Sequence, residues 1–133
     1  MSVKGIEEGR AKFAYEKVKE ITKESASFQS KYRSYVEKLP PLILSCGLGN
    51  AIAFVCSKKG EDSLEKRVYK RLYEHLSEYM KQQAISKKCP NNKELIDWII
   101  SSDSTEYRII TSEIMAFLWW LKRFAEGMLK KEE

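Results

Sequence analysis

The chain contains one histidine, His75, and this residue is the first to consider for catalytic chemistry. It falls in helical register with Leu72, Leu76 and Tyr79, on the apolar side of a predicted helix. A metal site would need further ligands, and the sequence offers no second histidine. We therefore interpret His75 as a residue at the edge of the core and not as a general base or a metal ligand.

Other groups that could act as nucleophiles or ligands also lack the expected surroundings. The sequence Ser45-Cys46-Gly47 follows no predicted strand, and a nucleophile elbow requires one. The cysteines Cys46, Cys56 and Cys89 do not have the spacing of a zinc motif. The carboxylates are scattered over predicted helix caps and surfaces. The sequence therefore predicts no catalytic residue, no metal and no cofactor, and we expect a protein that is not an enzyme.

The cysteines bear instead on the cellular compartment. Three is an odd number, and we interpret them as small buried hydrophobic residues in a reducing environment. The sequence shows no targeting segment or membrane span of its own. We expect a cytoplasmic protein.

The distribution of charge is more informative than the candidate catalytic groups. The formal net charge is +5, with +3 in residues 1–39, +4 in residues 57–90 and −2 in residues 91–133. The positive charge is thus concentrated in the first two-thirds of the chain. Binding of a polyanion is one interpretation of this pattern, and an ordinary solvated surface is the other.

One predicted helix concentrates this positive charge. Lys66 with Lys70, and Arg67 with Arg71, are like-charged pairs at i,i+4. Each pair opposes helix formation by a few tenths of a kcal/mol unless anions lie nearby. Such a surface suits contact with phosphates, although a solvated helix face explains it as well.

A long uncharged stretch predicts the central helix of the fold. No charged residue occurs between Pro40 and Cys56, in a chain in which 32% of the residues are charged. Prolines are favoured in the first turn of a helix and glycine after its end, so a helix is predicted over about residues 41–59, ending at Gly60. Its apolar residues cover every side, which predicts a central helix surrounded by others. The glycines at 47 and 49 are interpreted as a place where another helix backbone approaches closely.

Helical periodicity accounts for most of the remaining chain. Stripes predict helices before residue 23, from Phe28 to Leu39, after Gly60 and around residues 95–100, with the third of these fading past Ile85. A last helix is predicted over about residues 104–130, with Trp119 and Trp120 assigned mainly to the core. No strand or hairpin signal is present. We therefore predict an all-α single domain over residues 1–133, a compact bundle of five or six helices around a buried central helix.

Two segments of the sequence resemble one family. The residues that carry the resemblance are Tyr32-Arg33-Ser34-Tyr35-Val36-Glu37-Lys38-Leu39-Pro40, Leu42-Ile43-Leu44, Gly47-Leu48, Ala53-Phe54, Ser57-Lys58, and then Glu113, Ala116-Phe117-Leu118 and Trp120-Leu121-Lys122-Arg123-Phe124-Ala125-Glu126. In these residues the chain resembles the small all-helical subunit of the type III-B CRISPR RNA-silencing (Cmr) effector complex.

The resemblance implies a function that the composition merely permits. It implies a non-catalytic subunit that stacks along a ribonucleoprotein filament and contacts the backbone of guide and target RNA through a basic face. The implied partners are the backbone subunit, neighbouring small subunits, guide RNA and target RNA, with weak self-association and no membrane. The candidate RNA-binding residues are Lys58, Lys59, Arg67, Arg71, Lys122, Arg123, Arg33 and Lys38; the family motif supports Lys58, Lys122 and Arg123, and the others rest on the charge pattern. The alternative to a core position for one of Trp119, Trp120 and the nearby apolar residues is an interface with the next small subunit.

Three alternatives remain at this stage. The equivalent small subunit of a type III-A complex is close to the first interpretation. A helical protein–protein adaptor without a nucleic-acid role would leave the basic face simply solvated. A small hydrolase or nuclease would require carboxylates that converge in a cleft.

Overall fold

The computed structural model describes residues 3–82 and 88–131, with side chains from Glu8 onward, and these residues form six helices and no strand. The helices are α1 (Val3–Ile21), α2 (Ala26–Cys46), α3 (Leu48–Lys58), α4 (Leu64–Met80), α5 (Leu95–Ser101) and α6 (Ser104–Met128). The predicted all-α class is confirmed. The predicted fading of a helix past Ile85 lies outside the described residues.

The helix at the centre of the fold is α2. It packs against α6 and α1 on one side and against α4 and α3 on the other. Tyr32 and Val36 are fully buried, and Leu39 and Ile43 are 3% exposed. Burying such side chains stabilises the fold by roughly 1.5–3 kcal/mol each, so α2 supplies much of the core.

The predicted central helix over residues 41–59 is wrong in its bounds. Pro40 and Pro41 lie inside α2, and the segment divides at Gly47 into the end of α2 and the whole of α3. Two prolines each remove a backbone donor from the helix. The helix nevertheless continues through the pair. Leu39 before the prolines, Pro40 itself and Ile43 after them are all buried, and an earlier end of the helix would expose them. Packing therefore outweighs the local preference for proline at a helix start.

The apolar stretch is also less buried than predicted. The side chain of Leu44 is 75% exposed and that of Phe54 is 42% exposed. The break at Gly47 changes the direction of the chain, so residues before and after it do not share one continuous helix surface. The buried residues of α3 are Leu48, Ala51, Ile52 and Val55.

Gly47 and Gly49 have a different role from the one predicted. Gly47 has φ +87° and ψ 160°, a conformation that residues with a Cβ atom rarely adopt. The backbone N–H of Gly49 donates to the hydroxyl of Tyr107 at 2.8 Å. The close neighbour at this corner is therefore a tyrosine side chain of α6 and not a helix backbone.

Side-chain caps fix the starts of three helices. Ser25 accepts from the Phe28 N–H at α2, and Ser63 accepts from the Lys66 N–H at α4. Asp103 and Glu106 form a capping box at α6, with the Glu106 N–H 2.8 Å from the Asp103 carboxylate. Each such cap stabilises a helix start by about 1 kcal/mol.

A part-buried polar cluster ties α1 and α4 to α6. Arg10 donates to both carboxylate oxygens of Glu113, at 2.8 and 3.0 Å, and the Tyr79 hydroxyl donates to the same group. Burial by itself would raise the pKa of Glu113, but the hydrogen bonds from Arg10 and Tyr79 outweigh it and lower that pKa. The Tyr79 ring also stacks on Phe117, with centroids 4.1 Å apart. This cluster orients α6, whose outer side faces away from the core.

None of the helices in the described ranges is both long enough and apolar enough to cross a membrane.

The conformation of Gly47 leads to the first prediction. We expect Gly47→Ala to lower the free energy of unfolding by about 1–3 kcal/mol, because alanine is strained at this φ and ψ. Gly127→Ala is the matched control: nothing lies within 4 Å of a Cβ atom there, and the residue is in α6. Alanine there should be neutral or stabilising by up to about 1 kcal/mol. Urea denaturation followed by circular dichroism measures both, and equal effects would contradict the role assigned to Gly47.

Candidate nucleic-acid interface

His75 occupies a buried position in which its imidazole is held on both sides. Its Nδ1 lies 2.6 Å from the Tyr32 hydroxyl and its Nε2 lies 3.3 Å from the Glu20 carboxylate. The side chain is 1% exposed. The prediction that it belongs to the core is confirmed. Burial lowers the pKa of His75 to about 4, even though the Glu20 carboxylate acts in the opposite direction. The ring is therefore neutral near pH 7, accepts from Tyr32 and donates to Glu20.

The cysteines do not all follow the prediction. Cys89 is buried and Cys56 is partly buried, but Cys46 is exposed at the end of α2, so its assignment to the interior is wrong. Cys46 is exposed because the chain turns at Gly47 immediately after it. Within residues 3–82 and 88–131, no group of three or more His, Cys, Asp or Glu side chains is placed to hold a metal ion.

The structure places Arg67 and Arg71 around one depression beside α4. It has a volume of about 370 Å³, and its lining also includes Lys70. Acidic side chains share the same lining, namely Glu24, Glu61 and Glu74. The like-charged pairs of α4 are thus compensated within the fold: Lys70 pairs with Glu61, and Lys66 lies 3.4 Å from Asp62. This surface is mixed in charge and not uniformly basic.

The two arginines of this depression differ in their freedom to bind a ligand. Arg71 donates to Glu24 at 2.8 Å, and its guanidinium lies 5.3 Å from the centroid of the Phe28 ring. Arg71 therefore joins α4 to the start of α2. Arg67 is exposed, and its contact is with the backbone carbonyl of Glu61 at 3.4 Å. Of the pair, Arg67 is the better placed to meet a phosphate.

Lysines at the end of α3 extend toward two different neighbours. Lys59 lies over the ring of Tyr73 on α4, with its Nζ atom 5.1 Å from the centroid. Lys58 lies over Phe54 at 5.6 Å. Both side chains are exposed. Lys59 thus adjoins the surface of α4, whereas Lys58 lies over Phe54, one of the residues that line an apolar cleft.

That cleft has a volume of about 270 Å³, and Lys38 is the candidate residue that lines it. Lys38 lines the cleft together with Tyr35 of α2 and Tyr69 of α4. The two tyrosine rings are stacked, with centroids 4.0 Å apart. Lys38 therefore lies on the α4 side of α2.

Arg33 lies on the opposite side of α2, against the end of α6. It donates to the backbone carbonyls of Glu126 and Leu129, at 3.0 and 3.3 Å. These carbonyls belong to the last turn of a helix, where no intrahelical donor remains. Arg33 thus acts as a side-chain cap for α6, and its donors toward that helix are already in use.

Lys122 and Arg123 lie on α6 itself. Burial raises the pKa of Glu37, as does a hydrogen bond with the Glu126 carboxyl, while Arg33 and Lys122 oppose that rise. Lys122 therefore lies near the contact between α2 and α6. Arg123 is exposed.

The candidate residues thus do not form one surface. Arg67, Arg71 and Lys59 adjoin α4, Lys58 and Lys38 border the apolar cleft, and Arg33, Lys122 and Arg123 lie near α6. Whether any of them binds RNA stays a prediction.

Sequence reasoning missed two features of α6. Trp119, assigned mainly to the core, is 46% exposed, whereas Trp120 is half-buried and stacks on Phe124. Arg108 was not selected, yet it is exposed on the same helix. Successive residues of a helix are 100° apart, so Trp119 and Trp120 could not both share the direction of Phe117 and Leu121. The adjacency of the two tryptophans in the sequence therefore indicated that one of them lies outside the core.

The sequence and fold are shared with known proteins over almost the whole chain. A family model described as CRISPR-associated protein (Cas_Cmr5) matches residues 6–128. The chain is 31% identical over 121 residues to the CRISPR system Cmr subunit Cmr5 of Thermus thermophilus, and the match covers 91% of this chain and 93% of that protein. It also resembles the crystal structure of a CRISPR-associated Cmr5 family protein from the same organism, with TM-score 0.71, 29% identity, and coverage of 92% of this chain and 99% of that one.

The buried His75 predicts a dependence of stability on pH. Its pKa is about 4 in the folded protein and about 6.5 when unfolded, so between these values the unfolded state binds the additional proton. The contribution of His75 is complete above pH 6.5 and is lost as pH falls toward 4, by roughly 2–3 kcal/mol. His75→Gln removes this titration. Urea denaturation from pH 7 to pH 4 should therefore show the stability difference between wild type and variant shrinking by that amount, and a constant difference would contradict the assignment.

Proposed function

The chain belongs to the Cas_Cmr5 family of CRISPR-associated proteins, and from this membership we propose that it is a non-catalytic subunit of a type III-B (Cmr) effector complex. The observation that carries the proposal is the match over residues 6–128 together with a relative that is itself described as a Cmr subunit. We further propose that the subunit stacks along the filament beside neighbouring small subunits and the backbone subunit, in the cytoplasm. The match to a Cmr subunit favours type III-B over the type III-A equivalent.

The proposed role is to contact the phosphate backbone of the guide and target RNA. In RNA-guided systems base pairing supplies sequence specificity, so an accompanying protein needs to bind backbone and shape. Exposed cations on rigid helices are sufficient for this. Among the candidate arginines, Arg67 on α4 and Arg123 on α6 support the proposal best, because both are exposed and neither takes part in an ion pair within the described ranges.

A protein–protein adaptor remains the second candidate because of the surface beside α4. Arg71 pairs with Glu24 and Lys70 with Glu61, which is the arrangement expected of a solvated or protein-contacting face. Under this alternative the chain would still join a complex, but its cations would not affect RNA binding.

Reversing the two exposed arginines distinguishes these functions. We expect Arg67→Glu and Arg123→Glu each to weaken target-RNA binding by the reconstituted complex equally for all sequences, and to reduce the slope of log affinity against log salt by about 1. The matched control is Lys12→Glu, an exposed reversal on α1. Filter binding at several salt concentrations provides the measurement.

The outcomes separate the two residues as well as the two functions. An unchanged slope for one variant removes that residue from the interface. If both variants assemble normally and bind RNA as the control does, the adaptor function is the correct one. If the wild-type chain does not assemble with other Cmr subunits, membership of the complex is contradicted.

A further inference from the structure

Trp119 lies on α6 but does not belong to the hydrophobic core. The buried residues of α6 are Ile110, Ile114, Phe117, Leu118, Leu121 and Ala125. Trp119 points away from these residues, and 46% of its side chain is exposed. An indole is the largest apolar side chain, and burying it would contribute substantially to stability. On this helix about half of the indole therefore remains accessible to a ligand.

The residues around Trp119 are cationic and small. The Nζ atom of Lys122, one turn along the helix, lies 5.3 Å from the centroid of the Trp119 ring. Arg123, four residues after Trp119, is exposed on the same side of the helix. One turn before Trp119 lie Ala116 and Met115, both half-buried, and two and three turns before it lie Ser112 and Arg108, both exposed.

Arg108, Lys122 and Arg123 take part in fewer ion pairs than the cations of α4. No ion pair involves Arg108, Lys122 or Arg123 within the described parts of the chain, whereas Lys70, Lys66 and Arg71 of α4 each have one. The one acidic residue of α6 between Arg108 and Arg123 is Glu113, and its carboxylate is bound by Arg10 and Tyr79. Arg108 nevertheless lines one depression with Glu113 and Arg10, and Lys122 interacts with the Glu37 carboxyl, so acidic groups balance part of the positive charge on this side of α6.

This combination fits a nucleotide better than a protein. A protein-binding surface presents contiguous apolar area, with charged residues depleted at its centre. Here the neighbours of the ring are two cations, and no second aromatic ring of α6 in the described range is exposed beside it. An aromatic face with adjacent Lys and Arg is what binds unpaired bases, because the ring stacks on the base and the cations meet the flanking phosphates.

We propose that Trp119 stacks on an unpaired base of single-stranded RNA while Lys122 and Arg123 bind the adjacent phosphates. This inference rests on the proposed RNA-contacting function and adds to it, since backbone contact alone requires no aromatic residue. Lys122 has a flexible side chain, so it can leave the indole for a phosphate when a base takes its place. The site does not select a base by hydrogen bonding, and it takes up RNA where pairing is absent.

The test compares RNA with a strand that has no bases. The full chain is titrated at low salt with a fluorescein-labelled 12-nucleotide oligoadenylate and with an abasic 12-mer of the same charge, using fluorescence anisotropy. We expect Trp119→Ala to weaken oligoadenylate binding by roughly 5- to 100-fold, the range that loss of one stacked base produces, and to leave abasic binding unchanged. Trp119→Phe should retain most of the affinity. The control is Ile100→Ala, which truncates another exposed apolar side chain, 65% exposed on α5.

Each outcome supports or overturns a distinct claim. Equal binding of the two oligomers by the wild type, or unchanged oligoadenylate binding by Trp119→Ala, would overturn stacking and leave phosphate contact standing. No binding of either oligomer, combined with no effect of Trp119→Ala on RNA capture by the assembled complex, would overturn both claims. If Trp119→Ala instead prevents assembly with other Cmr subunits while its oligoadenylate affinity is unchanged, the ring belongs to a protein interface and the proposal is wrong.

Discussion

The packing of α2 between α4 and α6 is the constraint on which the rest of this structure depends. Tyr32 and Val36 are excluded from solvent, and the helix continues through Pro40 and Pro41 because ending it earlier would expose its last buried turn. With α2 in this position, cations that are close in sequence are separated in space. Arg33 meets the carboxyl end of α6, whereas Lys38 adjoins the cleft beside α4. A helix with neighbours on two sides divides its surface residues between them.

Acidic residues from other segments neutralise part of the positive charge of α4. The surface of α4 has a high density of Lys and Arg in sequence, but Glu24 and Glu61 are brought to it from other segments and pair with Arg71 and Lys70. Exposed ion pairs of this kind contribute little to stability, about 0–1 kcal/mol. They nevertheless reduce the positive field that a phosphate would meet. On α6 Glu113 binds Arg10 and lines one depression with Arg108, whereas Arg123 takes part in no ion pair within the described ranges.

The two sides of α6 differ in their surroundings. Its inner side carries Phe117 and Leu121 into the core, and Arg10, Tyr79 and Arg33 hold it at several points along its length. A ligand-binding side chain loses less entropy when its helix is already fixed. The outer side therefore offers a preorganised surface that is independent of the buried one.

The sequence by itself determined the helical class, the core position of His75 and the family, because these depend on periodicity and residue identity along the chain. It predicted neither the break at Gly47 nor the course of α2 through two prolines, because local preferences favour a helix start at residue 40 and packing of distant residues overrides them. For the candidate RNA-binding residues, the sequence indicated cations of α2, α3, α4 and α6 and Lys59 after α3. The tertiary structure alone decided which of them are neutralised, since the partners of Arg71, Glu113 and Arg33 lie 47, 103 and 93 positions away and come together only when the helices pack.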